Sequence, residues 1–97
     1  MDGCPNVTEL LDYVTLFSNN KINKLARHLN ISIEKQIRGK DRLETLFRKW
    51  IENNGTDATR KNMIEALQAI NEKAIAFTYL VIINNVQNGK FSSRLYM

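Results

Sequence analysis

Asp41-Arg-Leu-Glu-Thr-Leu-Phe-Arg-Lys-Trp-Ile-Glu-Asn-Asn-Gly55 decides how the rest of the chain is read. Leu43, Leu46, Phe47, Trp50 and Ile51 recur at i, i+3, i+4, i+7 and i+8, one apolar stripe on a 3.6-residue period. Asp41 can accept from the free N–H groups of a first helical turn, and Glu44 three residues on completes a capping-box pattern. Asn54-Gly55 supplies a residue able to leave right-handed geometry, as helix C-termini require. The stripe therefore predicts a helix over 41–53. It carries the only Trp of the chain, and so large a ring needs surrounding elements.

Working backward, Asn6 with Glu9 predicts the start of a first helix whose inward residues are Val7, Leu10, Leu11, Val14 and Phe17, stopped by Ser18-Asn19-Asn20. A second helix runs from about Lys21 to Leu29, with Ile22, Leu25, Ala26 and Leu29 inward. Ser32 then caps a short third helix that buries Ile33 and Ile37 and is broken at Gly39-Lys40. Working forward, Thr59 is the cap of a fifth helix with Met63, Ile64, Leu67 and Ile70 on one face. A sixth begins at Asn71-Glu72 and reaches about Val86. Its β-branched run Tyr79–Ile83 could be a strand by period alone, but a lone strand has nothing to pair with. The reading is all-α: a six-helix antiparallel bundle, with Leu25, Leu46, Phe47, Trp50, Leu67 and Phe77 in the core. Residues 1–5 form an N-terminal extension, 6–87 the bundle and 88–97 a tail. Phe91, Leu95 and Tyr96 of the tail could dock on the bundle.

With 97 residues, 43% of them hydrophobic, one folding domain is expected. No apolar run reaches the length of a membrane span, and a lone Cys4 fits a reducing compartment, so a cytoplasmic protein is expected. Residues 1–20 hold three acids and no base, whereas 21–49 hold nine bases against three acids. A basic middle third implies an acidic or phosphate-bearing partner.

Catalysis is not expected. His28, the only His, falls on an outward face among cations, with no orienting partner of the kind a general base needs. Cys4 has no His near it in sequence. No metal-ligand spacing or Gly-rich phosphate loop is present, so no cofactor or metal is expected. Lys24, Arg27, Lys35 and Arg38 are the candidate basic patch for a partner; Glu52, Asp57 and Glu65 are the acidic counterpart offered to a different neighbour. Residues 21–38 also resemble a helix-turn-helix DNA reader, with Ser32 opening the recognition helix. However, Glu34 would oppose the phosphates and only Gln36 suits a base edge, so nucleic acid is the weaker alternative.

The order of elements resembles the death domain family. Leu25-Ala-Arg-His-Leu29 in a second helix is followed by a short third helix. Leu46-Phe-Arg-Lys-Trp50 then comes late in the fourth, Asp57-Ala-Thr59 in a polar loop and Met63-Ile-Glu-Ala-Leu67 in the fifth. The likeness spans residues 6–86. It departs from the family at Ile22, where an aromatic often stands, and in the short link between the third and fourth helices. The resemblance implies a six-helix Greek-key bundle without catalytic activity, serving as an adaptor of insect-type immune or apoptotic signalling. Its partners would be other death domains or copies of itself, met through unlike patches.

Overall fold

The computed structural model describes residues 3–87, and among them every regular element is helical. Helix α1 spans Val7–Tyr13, α2 Asn19–His28, α3 Gly39–Asn54, α4 Arg60–Ala69 and α5 Lys73–Gln87; a single 3-10 turn, Gly55–Asp57, joins α3 to α4. α1 packs on α3 and α5, α2 on α3 and α4, and α4 on α5. No helix among the described residues is long and apolar enough to cross a membrane.

The organising helix forms as its stripe predicts. Leu43, Leu46, Phe47 and Trp50 are buried, Trp50 with only 2% of its surface exposed. Leu10, Val14, Ile22, Leu25, Met63, Leu67 and Tyr79 close around them. Burying side chains of this size contributes roughly 1.5–3 kcal/mol each against leaving them in water, which short helices need, since alone they are marginal. Gly55 ends α3 with φ +54°, while Asn54 Nδ2 donates to the Trp50 carbonyl at 2.8 Å. The start differs from the expected cap. α3 opens at Gly39, Asp41 lies in its first turn, and Glu44 accepts from Arg48 at 2.6 Å instead of capping.

Asn6 and Thr59 form the expected caps, but Glu9 does not return the bond to the Asn6 amide; its carboxylate accepts from Arg60 and Tyr79 instead. Asn6 Oδ1 accepts from the Glu9 amide at 2.8 Å, and Thr59 Oγ1 accepts from the Asn62 amide at 3.2 Å. Ser18 does more than stop α1: its hydroxyl accepts from the Asn20 amide at 3.1 Å and so opens α2. α1 is shorter than its stripe suggests. It ends at Tyr13, after which Val14 and Leu16 turn inward, leaving Phe17 89% exposed. Phe17 is thus not a core residue.

The expected third helix does not form, so the described residues hold five α-helices where six were expected. Asn30 takes φ +60° and closes α2: the Asn30 amide donates to the Arg27 carbonyl and the Ile31 amide to that of Ala26. The chain then runs irregularly to Arg38, with one turn closed from the Ile37 amide to the Glu34 carbonyl. Residues on α3 supply donors to three carbonyls of this segment. Arg42 donates to the carbonyls of Glu34 (2.9 Å) and Ile37 (3.1 Å) and to Asn23 Oδ1 (2.9 Å), and Lys49 donates to the Ser32 carbonyl at 2.7 Å. Ile31 is buried and Ile33 and Ile37 are half-buried, so the three Ile reach the core without a helix. An eight-residue helix carrying β-branched residues has too little cooperativity to compete.

α5 is helical, as expected, but turned relative to its expected face. Ala76, Tyr79 and Ile83 are buried, and Phe77, placed in the core from sequence, is 66% exposed. At 100° per residue Phe77 sits about 200° round the helix from Tyr79; only one of the two rings can face inward. Asn71, expected to begin this helix, closes α4 with φ +69°, its amide donating to the Gln68 carbonyl and that of Glu72 to Leu67. Residues 3–5 are strapped to the bundle: the Arg60 amide donates to the Gly3 carbonyl at 3.0 Å, and Pro5 is buried. The expected tail, 88–97, lies outside the described residues, including Phe91, Leu95 and Tyr96.

Candidate functional site

The basic middle third divides into bound and free charges. Arg42 and Lys49 hold backbone carbonyls, Arg48 pairs with Glu44, and Lys21 approaches Glu72 at 3.5 Å. Lys24, Arg27, Lys35 and Arg38 are exposed, and their side chains make no hydrogen bond or ion pair with the described residues. Folding therefore engages four of the nine bases and leaves unspent the four singled out from sequence together with Lys40, at the start of α3.

The structure joins only part of that patch. Lys24 and Arg27, three residues apart on α2, share one helical face, and with His28 they line an open depression of about 410 Å³ whose other side is Ala69, Ile70 and Asn71 at the end of α4. Lys35 and Arg38 lie outside this cavity, on the irregular segment between α2 and α3. His28 is exposed, as its neighbours suggest; its place beside the end of α4 is new. The spacing of Lys24, Arg27 and His28 is legible in the sequence, but nothing local says that α4 ends opposite them.

Glu52, Asp57 and Glu65 are likewise exposed and unpartnered among the described residues. They follow the corner from α3 to α4: Glu52 in the last turn of α3, Asp57 in the 3-10 turn and Glu65 on α4. That corner is well fixed. Ala58 is fully buried, Asn62 Nδ2 donates to the Asp57 carbonyl at 2.7 Å, and the Cys4 thiol reaches the Thr56 carbonyl at 3.6 Å. The acidic side chains thus stand on a rigid base while their heads stay in water.

Sequence reasoning missed one polar centre. Glu9 accepts from Arg60 Nε and Nη2, both at 2.7 Å, and from the Tyr79 hydroxyl at 2.6 Å, tying α1, α4 and α5 together. Both charged side chains are about three-quarters covered. The Arg60 hydrogen bonds hold the Glu9 carboxyl below its usual range, helped by the Tyr79 hydroxyl and opposed by partial burial. The same bonds raise Arg60 further, and burial followed by the neighbouring carboxylate pushes the Tyr79 phenol well up. The Glu9 carboxylate accepts two bonds from Arg60 and one from Tyr79, so the triad acts as a clasp. Its members lie 51 and 70 residues apart, a separation that no local pattern bridges.

The segment expected as a DNA recognition helix is not helical, which leaves no element there to enter a major groove. Family models, curated proteins and solved structures yield no match to this chain.

Proposed function

We propose that this chain is a non-enzymatic protein–protein interaction module of the death-domain type, assembling apoptotic or innate-immune signalling complexes through charge-complementary contacts with other such domains or with copies of itself. In this reading the bundle is a Greek key, with residues 29–38 standing where the family has its third helix. The packing of α1 on α3 and α5, and of α2 on α3 and α4, supports it. The observation that carries it is the separation of free charges: Lys24, Arg27, Lys35 and Arg38 on α2 and the segment after it, and Glu52, Asp57 and Glu65 on the α3–α4 corner.

Such faces act by steering. Rim charges speed encounter and reject wrong partners more than they add affinity. Because the two faces are unlike, each domain docks head to tail, and contacts of that kind extend instead of closing. Each contact is weak alone, so assembly depends on many copies engaged together. The test is co-precipitation of a candidate partner death domain with the wild type, with Arg27→Glu and with Asp57→Lys. Binding should weaken with salt and fall at least tenfold in one or both variants. Full retention by two folded variants would remove these faces from the account.

A further inference from the structure

The cavity between α2 and α4 has a chemistry that a general acidic face does not require. Its mouth carries Lys24, Arg27 and His28, at i, i+3 and i+4 of one helix, none engaged by another described side chain. Its apolar lining is the exposed Ala69 and Ile70, which is 9% exposed, with Asn71 beside them. Two helix C-termini meet there, each bringing roughly half a negative charge. Their last carbonyls are closed by the Asn30, Ile31, Asn71 and Glu72 amides. The nearby Glu72 carboxylate is 15% exposed and engaged by Lys21. Against about one unit of negative charge from the helix ends, the two formal charges of Lys24 and Arg27 prevail, and the mouth attracts anions. The depression is open to solvent, and its volume of about 410 Å³ leaves room for an organic group beside a phosphoryl head.

We propose that this notch binds a phosphate monoester, the phosphoryl oxygens meeting the Arg27 fork and the Lys24 ammonium while the carbon carrying the ester rests on Ala69 and Ile70. Arg27 supplies the planar pair of donors that a phosphate favours, and Lys24 a point charge that follows it. The inference deepens the docking role given to Lys24 and Arg27 above, but its test needs no partner domain. Failure here leaves the acidic-face reading standing, because that reading also uses Lys35 and Arg38.

The experiment is an amide-resolved NMR titration of the intact chain at fixed ionic strength. The probes are a short neutral peptide carrying one phosphoserine, its unphosphorylated twin, glucose 6-phosphate and inorganic phosphate. The expected result is saturable shifts centred on His28, Ile70 and Asn71 with both esters, weaker with inorganic phosphate and absent with the plain peptide. Arg27→Gln should weaken ester binding at least tenfold, and Lys61→Gln, an exposed residue on the first turn of α4 and outside the notch, should leave it unchanged. Tighter binding of the peptide assigns the monoester to a modified protein, and tighter binding of the sugar phosphate to a free metabolite. Shifts scattered over all exposed bases, equal response to the plain peptide, or unaltered binding by a folded Arg27→Gln would overturn the proposal.

Discussion

Glu9 bridges elements far apart in sequence: from a seven-residue helix it holds Arg60 on α4 and Tyr79 on α5. Replacing it with Gln leaves Arg60 partly covered and uncompensated, and should cost about 2 kcal/mol, between the worth of exposed and of buried pairs, measured by urea unfolding near neutral pH. The pH dependence follows from the sign of the shift. The folded carboxyl is depressed, so its contribution is complete above the unfolded value of about 4.3 and is lost as pH falls through the folded value. The gap between wild type and Glu9→Gln should therefore close on acidification, and a constant gap would contradict the clasp. Tyr79 titrates with the opposite sense: its phenol is raised, so its contribution holds below about 10, the unfolded value, and falls as pH rises beyond it. The two aromatic positions differ as sharply. Phe47→Ala, at a fully buried site, should cost about 3–5 kcal/mol, whereas Phe77→Ala, on the exposed face of α5, should stay within about 0.5 kcal/mol. Equal losses in thermal unfolding would place Phe77 back in the core.

At the scale of elements, what the sequence discloses is what neighbours in sequence decide. The stripe of Leu43, Leu46, Phe47 and Trp50, the Asn6 and Thr59 caps and the stop at Gly55 are local, and each is found where it was expected. The stretch 31–38 is decided from a distance. Ser32 and the Ile spacing suggest a helix, but Arg42 and Lys49, on another element, take its carbonyls and hold it open. The facing of α5 is hidden for a related reason. The helix is apolar over most of its circumference, and its inward side carries Tyr79, whose hydroxyl donates to Glu9 on α1, a contact that no local pattern shows. Arg42→Ala removes three hydrogen bonds to the segment and to Asn23. Hydrogen exchange should then quicken about tenfold or more across 31–38 while the centre of α3 keeps its protection. Unchanged exchange in 31–38 would show that its Ile contacts suffice.

Across the whole molecule, folding sorts a chain of mixed charge into spent and unspent groups. Of the nine bases concentrated in 21–49, Lys21, Arg42, Arg48 and Lys49 are engaged by the fold, and Lys24, Arg27, Lys35, Arg38 and Lys40 remain outward. The candidate residues were legible one by one because charge and period place them on outward faces. Their grouping was not, since it depends on where α4 ends and on the shape of 29–38. Under the docking proposed above, two unlike faces would make association directional and sensitive to salt. Sedimentation velocity at low salt on Arg27→Glu, on Asp57→Lys and on their equimolar mixture tests that claim most directly, because each variant keeps the face that the other has lost. The account predicts a wild type whose average mass grows with concentration, two variants that stay monomeric, and a mixture that forms a dimer and stops there. A mixture that sediments like its separate components, beside a wild type that associates, would contradict it.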